Sequence, residues 1–298
     1  HTVKALYYNQ IIALLPAVAV GVYVFGARGI VPIAAGTVTA VVAEFLMLAA
    51  LKQKFSRLAD GSAVLAGLLL AAMLPADTPW WTVAVGAGAA IVIAKMLYGG
   101  LGSYPFNPVL VGWIILNLSW PSIISKWPRP NIETWGVAET LPAQSLLEIL
   151  KKYGVQMTNQ FSLADILLGF HPGGIGAVAG IALIIGGIYL IIRGFVSWHI
   201  PVSFAVGIAL TSGIFLVVNP AQYASPVFHL ITGTTLLGMF FLAPEYTTSP
   251  KTRQGKILYG LGAGFMTILI RIYGINPDGV PFAILLMNLL TPIFDRIR

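Results

Sequence analysis

The stretch KMLYGGLGSYPFNPVLVGWIILNLSWP, residues 95–121, decides how this chain folds. A hydrophobic helix reaches Leu97 and stops at Tyr98-Gly99-Gly100-Leu101-Gly102; Pro105 and Pro108 then bracket Asn107 before a short apolar run that ends at Pro121. Glycine permits backbone shapes that a helix forbids, and proline removes a donor. At membrane depth such backbone persists only when it is buried in protein or lines a polar cavity. The segment therefore reads either as an interhelical turn or as a place where something is held, and the rest of the chain has to decide.

Composition sets the solvent. The chain has 298 residues, 57 % of them hydrophobic and 9 % charged, with mean hydropathy +0.87. Soluble domains carry about 25 % charged residues, so this is a polytopic membrane protein. The net charge of +7 would suggest nucleic acid in a soluble protein. Here it records basic loops beside anionic lipid, and no nucleic-acid partner is expected. The absence of cysteine excludes disulfides, iron–sulfur ligation and thiolate metal sites within the chain. The sequence opens on His1 without a cleavable signal pattern, and its natural start is expected to lie upstream.

About ten apolar segments follow from the need for roughly 20 residues per crossing: 8–25, 31–51, 61–75, 80–97, 109–120, 175–192, 198–218, 226–242, 256–273 and 280–294. Lengths in the two halves rhyme, and five spans per half place the halves in opposite orientation. The expected fold is thus all-α, two inverted five-span repeats with broken or short helices. Residues 1–120 form the first half, 121–174 a loop with amphipathic turns at 143–152 and 162–170, and 175–298 the second half of one membrane domain. Short loops on the N-terminal side hold eleven Lys and Arg, against two on the other side. Both termini are therefore expected in the cytoplasm and the 121–174 loop outside.

Inside the spans, Glu44 is a carboxylate at a depth where charge is costly, so it needs a partner such as Lys95 or a cavity. It reads as a cation or proton site, or as one half of an ion pair joining helices. Asp60 and Asp278 open short segments and read as helix caps or as stations on an ion path with Glu44. Asn107, Asn117, Asn219 and Asn288 suit interhelical hydrogen bonds or a neutral ligand. Gly176-x-x-x-Gly180 and Gly260-x-x-x-Gly264 read as close packing. The four histidines offer no matched haem pair, and no nucleotide-binding glycine motif is present.

Longer strings go further. DGSAVLAGLLLAAMLPADTPWW (60–81), AKMLYGGLGSYPFNPVLVGWIILNLSWP (94–121) and PKTRQGKILYGLGAGFMTILIRIYGINPDGVPFAILLMNLLTPIFD (250–295) resemble the D subunit of the Rnf ion-translocating oxidoreductase complex, and the likeness runs from Ala13 to the end. The resemblance implies a component of a redox pump in a prokaryotic inner membrane. Its partners would be other membrane subunits and flavin and iron–sulfur subunits. Electrons would pass between ferredoxin and NAD with Na⁺ or H⁺ translocation. It also implies FMN esterified to a threonine of the outer loop, and riboflavin within the membrane.

At the loop position of the flavinylation motif this chain reads Trp135-Gly136-Val137-Ala138-Glu139-Thr140-Leu141-Pro142. Thr140 is the acceptor candidate, with Thr134 second. Leu-Pro stands where the family tends to have Pro-Leu, and Glu139 replaces a small residue, so covalent attachment and a non-covalent flavin both stay open. For the latter, Tyr98, Gly100, Tyr104, Phe106, Asn107 and Trp113 of the broken segment are the expected ring-binding set. The alternative is a cofactor-free inverted-repeat transporter or channel.

Overall fold

The computed structural model describes residues 2–130, 144–158 and 161–297, and every regular element among them is helical. Helix α1 (Val3–Phe25) starts where the Thr2 side chain accepts from Ala5 N–H, and it stops at Gly26, whose φ of 70° breaks the helix. A single 3₁₀ turn at Gly26–Gly29 leads into α2 (Ile30–Ala50). The α1–α2 stretch, α9 (His199–Val218) and α11 (Arg253–Tyr273), described below, are long and apolar enough to cross a membrane; five further helices are apolar but shorter.

Those shorter helices define the architecture. Helix α3 (Ser62–Met73) has 12 residues and buries all of them except Val64. Its length of about 18 Å falls short of a ~30 Å hydrocarbon core, and a helix apolar all round belongs inside the protein. Helix α4 (Trp80–Ala89) continues as a π-helical segment, Ala90–Met96. Helix α5 (Pro108–Ser119) has Pro at its first position and Asn107 as cap, its side chain accepting from Val109 N–H at 3.0 Å. Outside the main bundle lie α6 (Leu146–Tyr153) and α7 (Leu163–Leu168), opened by the caps Ser145 and Ser162.

The second half repeats the series: α8 (Gly180–Ile192), α9 (His199–Val218), α10 (Pro226–Ile231), α11 (Arg253–Tyr273) and α12 (Val280–Phe294). The segment expected as one span over 226–242 is split. Helix α10 ends at Ile231, and the chain resumes as Thr235–Leu237 and a π segment, Gly238–Leu242. The cause is Gly233 at φ 65°, beside threonines whose hydroxyls bond locally: Thr232 donates to Phe228 O and Thr235 to Thr232 O. Residues 175–179, expected inside a span, instead form a turn tied to α3, with Ile175 N–H donating to Leu74 O and Gly176 N–H to Ala72 O. Gly176 therefore packs a loop rather than a helix ridge.

Packing follows the same plan in both halves. Helix α2 lies on α3 and α4, α9 lies on α10 and α11, and α1 packs on α8 between the halves. Two crossings need glycine. A Cβ on Gly67 would lie 2.4 Å from Gly36 O, and one on Gly264 would lie 2.4 Å from Phe204 O. Gly260-x-x-x-Gly264 is thus a close-packing stripe, as read from the sequence. The outer helices close over the bundle through a small cluster containing Leu146, Leu147, Ile149, Phe161 and Phe228.

Candidate functional site: two buried ion pairs flanking broken helices

Glu44 and Lys95, on α2 and the π segment after α4, are each 2 % exposed. Lys95 Nζ lies 2.5 Å from Glu44 Oε1 and donates to Ser62 Oγ at 2.7 Å. The Ser62 hydroxyl and N–H in turn donate to Asp60 Oδ1, at 2.5 and 2.7 Å. Gly61, at φ 85°, turns the chain so that Asp60 can reach the first turn of α3. Desolvating two charges costs several kcal/mol each, and only close geometry with further hydrogen bonds offsets it; this cluster has both. Glu44 Oε2 is buried and has no hydrogen-bond partner. A cavity of about 200 Å³ lies there, lined by Glu44, Gln53, Arg57, Asp60 and Gly100 among others.

The second half places a matching cluster at the other break. Arg271, near the end of α11 as Lys95 is near the end of the α4 segment, is 6 % exposed. Its Nη1 donates to His229 O at 2.7 Å, and its Nη2 donates to Thr235 Oγ1 at 2.6 Å and Asp278 Oδ1 at 3.4 Å. Asp278 Oδ2 accepts from Thr234 N–H and Oγ1, at 2.8 and 2.7 Å. In each half a cation on the fourth helical segment meets a hydroxyl at the start of a short helix, one residue or two after a positive-φ glycine. The carboxylates are not equivalent in position: Asp60 precedes α3, the third helix of its half, and accepts from Ser62 N–H at 2.7 Å, whereas Asp278 precedes α12, the fifth, and accepts from Val280 N–H at 3.3 Å.

Between the two clusters the polar groups satisfy one another. Asn107 donates to Leu242 O at 3.0 Å, and the Asn288 amide accepts from Asn107 N–H at 3.0 Å while donating to the Tyr259 hydroxyl at 2.7 Å. Glu245, after the π segment 238–242, accepts from Tyr104 Oη at 2.8 Å, Tyr7 Oη at 3.4 Å and the N–H groups of Thr247 and Thr248. Sequence reasoning missed Glu245, Tyr7, Ser62, Thr234 and the part played by Arg271. A signal existed for Glu245: Leu-Ala-Pro-Glu (242–245) ends its short helix as Leu-Pro-Ala-Asp (74–77) follows α3. Asn117 accepts from Asn276, and Asn219 organises a turn through Ala221 N–H.

The proposed ring-binding set is dispersed. Tyr98 is 52 % exposed, Gly100 lines the Glu44 cavity, and Phe106 is half-buried. Tyr104 and Asn107 are committed to Glu245, Leu242 and the α5 cap. Trp113 packs edge-on against Phe282, 5.8 Å away, and lines a separate enclosed cavity of about 60 Å³ with Asn117 and Asp278. Pockets for ligands of flavin size hold roughly 300–1,000 Å³. The described residues of the 98–113 segment thus do not converge on one cavity of that size. Thr140 and Thr134 lie outside the described residues.

Interrupted apolar helices with ion pairs at their breaks are the features of a polytopic membrane protein that handles charge within the membrane. The chain belongs to the NQR2, RnfD, RnfE family, whose model matches residues 1–298. It is similar to the D subunit of the ion-translocating oxidoreductase complex of Salmonella newport (strain SL254), 36 % identical over 96 % of this chain and 90 % of that protein. The corresponding D subunit of Salmonella agona (strain SL483) is similar to the same extent.

Proposed function

We propose that the chain is the membrane D subunit of an Rnf-type complex, coupling electron flow between ferredoxin and NAD to Na⁺ or H⁺ translocation. The observation that carries this reading is the 36 % identity sustained over 96 % of the chain with proteins of that name. The reading includes ten membrane segments in two inverted repeats with both termini cytoplasmic and the 121–174 loop outside. The paired arrangement of α1–α5 and α8–α12 around two broken helices supports it. It also includes a prokaryotic inner membrane and partner subunits that hold the iron–sulfur and nicotinamide sites.

FMN on Thr140, with riboflavin elsewhere in the membrane, would supply the electron-carrying chemistry that a chain without cysteine lacks. The chain's own residues supply the electrostatics. Glu44, with one oxygen held by Lys95 and the other buried without a hydrogen-bond partner beside a cavity, is the group on which a proton or cation would reside; Asp60 lines that cavity, and Asp278 would serve the other half. A cofactor-free transporter shares the broken helices, but not the full-length match. The test is ultraviolet fluorescence of the denatured chain followed by intact mass. A fluorescent band with one FMN phosphodiester mapped to Thr140 is the expected result. Absence of flavin from both the protein band and the released fraction would turn the reading toward the transporter.

A further inference from the structure

A cleft of about 420 Å³ lies where α6 meets the ends of α9 and α11, lined by Lys151, Asn219, Gln222, Tyr223, His229 and Arg271. Leu150 and Ile272 wall it, and among the described residues no carboxylate does. Arg271 brings a buried guanidinium whose Nε–H has no hydrogen-bond partner, although its other nitrogens are bonded. His229 Nδ1 lies 3.4 Å from Arg271 Nη1 and so acts as the acceptor, which leaves the imidazole neutral with its proton on Nε2. Lys151 closes the rim, its ammonium donating to the carbonyls of Gly274 and Ile275.

The surroundings of the mouth identify the ligand's other half. Tyr223 packs on Phe215, ring centroids 5.1 Å apart, and Phe215 packs on Tyr273 at 6.1 Å. Val217, Val218, Tyr273 and Ile275 beside it are 83, 74, 71 and 99 % exposed. An aromatic group at the end of apolar helices, next to fully exposed aliphatics, is the pattern of a bilayer interface. The Lys151 ammonium, the unbonded Nε–H of Arg271 beside its pair with Asp278, and several neutral donors therefore border the headgroup layer rather than bulk water. Arg and Lys donors hold phosphate oxygens by charge-assisted hydrogen bonds.

We propose that this cleft binds the phosphodiester headgroup of an acidic membrane lipid, with Arg271 Nε at its floor and Lys151 at its rim. The acyl chains would leave past Ile272 and Tyr273. The cleft is separate from the cavity beside Glu44; it shares Leu147 and Pro277 with the cavity beside Trp113 and does not depend on the redox reading.

The test is native mass spectrometry of the full chain released from nanodiscs of mixed phosphatidylglycerol and phosphatidylcholine. The wild type is expected to retain one phosphatidylglycerol. Lys151→Ala, at an exposed position, should lower retention about tenfold, as expected for one charge-assisted hydrogen bond. Arg271→Lys should do the same, and Lys54→Ala in the 51–60 loop should change nothing. Equal retention of phosphatidylcholine, or retention indifferent to Lys151→Ala, overturns the proposal. A rise in lipid retention on removing the loop hydroxyl with Thr140→Val would assign the cleft to a group carried by that threonine and overturn the lipid as its ligand. Inorganic phosphate displacing the lipid at millimolar concentration would likewise show that the apolar half plays no part.

Discussion

At the scale of single residues, the Glu44–Lys95 pair is the most consequential contact in the molecule. Removing one partner from a buried pair costs about 3–5 kcal/mol, because the remaining charge is stranded. Lys95→Met should therefore lower thermal stability in detergent strongly, and the double variant Lys95→Met with Glu44→Gln should recover most of the loss. Recovery of stability alone would not restore coupling if Glu44 carries the ion; Glu44→Gln that leaves ion uptake and electron transfer both intact would remove Glu44 from the path. Glycines make a second residue-scale comparison. Gly264→Ala puts a methyl 2.4 Å from Phe204 O, which should cost about 1–3 kcal/mol by overpacking. Gly88→Ala in α4 meets nothing within 4 Å and should stabilise by roughly 0.5–1 kcal/mol, so thermal melts of the two variants should move in opposite directions.

The partner of Glu44 was legible in the sequence, since a mid-span carboxylate demands a cation and Lys95 was the near candidate. Arg271 was not, because an arginine close to a span end looks like any loop charge; only its packing against Thr235 and Asp278 shows that it is interior. Glu245 escaped for a similar reason. It follows Pro244, at the end of an apolar run where a solvated turn is the ordinary reading, and its role depends on hydroxyls from Tyr7 and Tyr104, far away in the chain.

At the scale of elements, the sequence's apolar segments became helices close to where expected, because length and hydropathy are local properties. The breaks were less legible. Gly233 interrupts 226–242 through its positive φ, and nothing in the composition separates that glycine from those that merely pack. Likewise the aromatic residues of 98–113 lie close together in sequence, yet the helix start at Pro108 sends Trp113 to one cavity while Gly100 faces another.

The outer helix α6 carries its own prediction. Trp127 Nε1 donates to Glu148 Oε1 at 3.1 Å, and burial pushes the Glu148 carboxyl above its ordinary 4.5, against the lowering effect of that bond. A carboxyl with a raised folded pKa favours the docked state fully below 4.5, and that contribution is lost as pH rises through the folded value. Protection of residues 146–153 from hydrogen exchange, corrected for intrinsic rates, should fall between pH 4.5 and neutrality. Glu148→Gln should flatten the dependence; an unchanged slope in that variant would show that another group titrates.

For the whole molecule, the two halves present the same construction at their breaks: a positive-φ glycine, a hydroxyl at the start of a short helix, and a buried cation from the fourth helical segment of the half. If the halves are inverted, the Lys95 cluster faces one side of the membrane and the Arg271 cluster the other. A chain without cysteine makes this directly measurable. Single cysteines at Lys54 and Ser249 should react with an impermeant maleimide only in inside-out vesicles, and one at Lys126 only in right-side-out vesicles. Reaction of all three from one side would refute the inverted arrangement.

The measurement closest to the central claim is ion uptake by inverted membrane vesicles driven by reduced ferredoxin and NAD, in cells with and without this chain. Loss of both NAD reduction and uptake on deletion, with both restored by the wild-type chain, is the predicted result. Coupled uptake that persists at full rate without the chain would contradict its assignment to the translocating oxidoreductase.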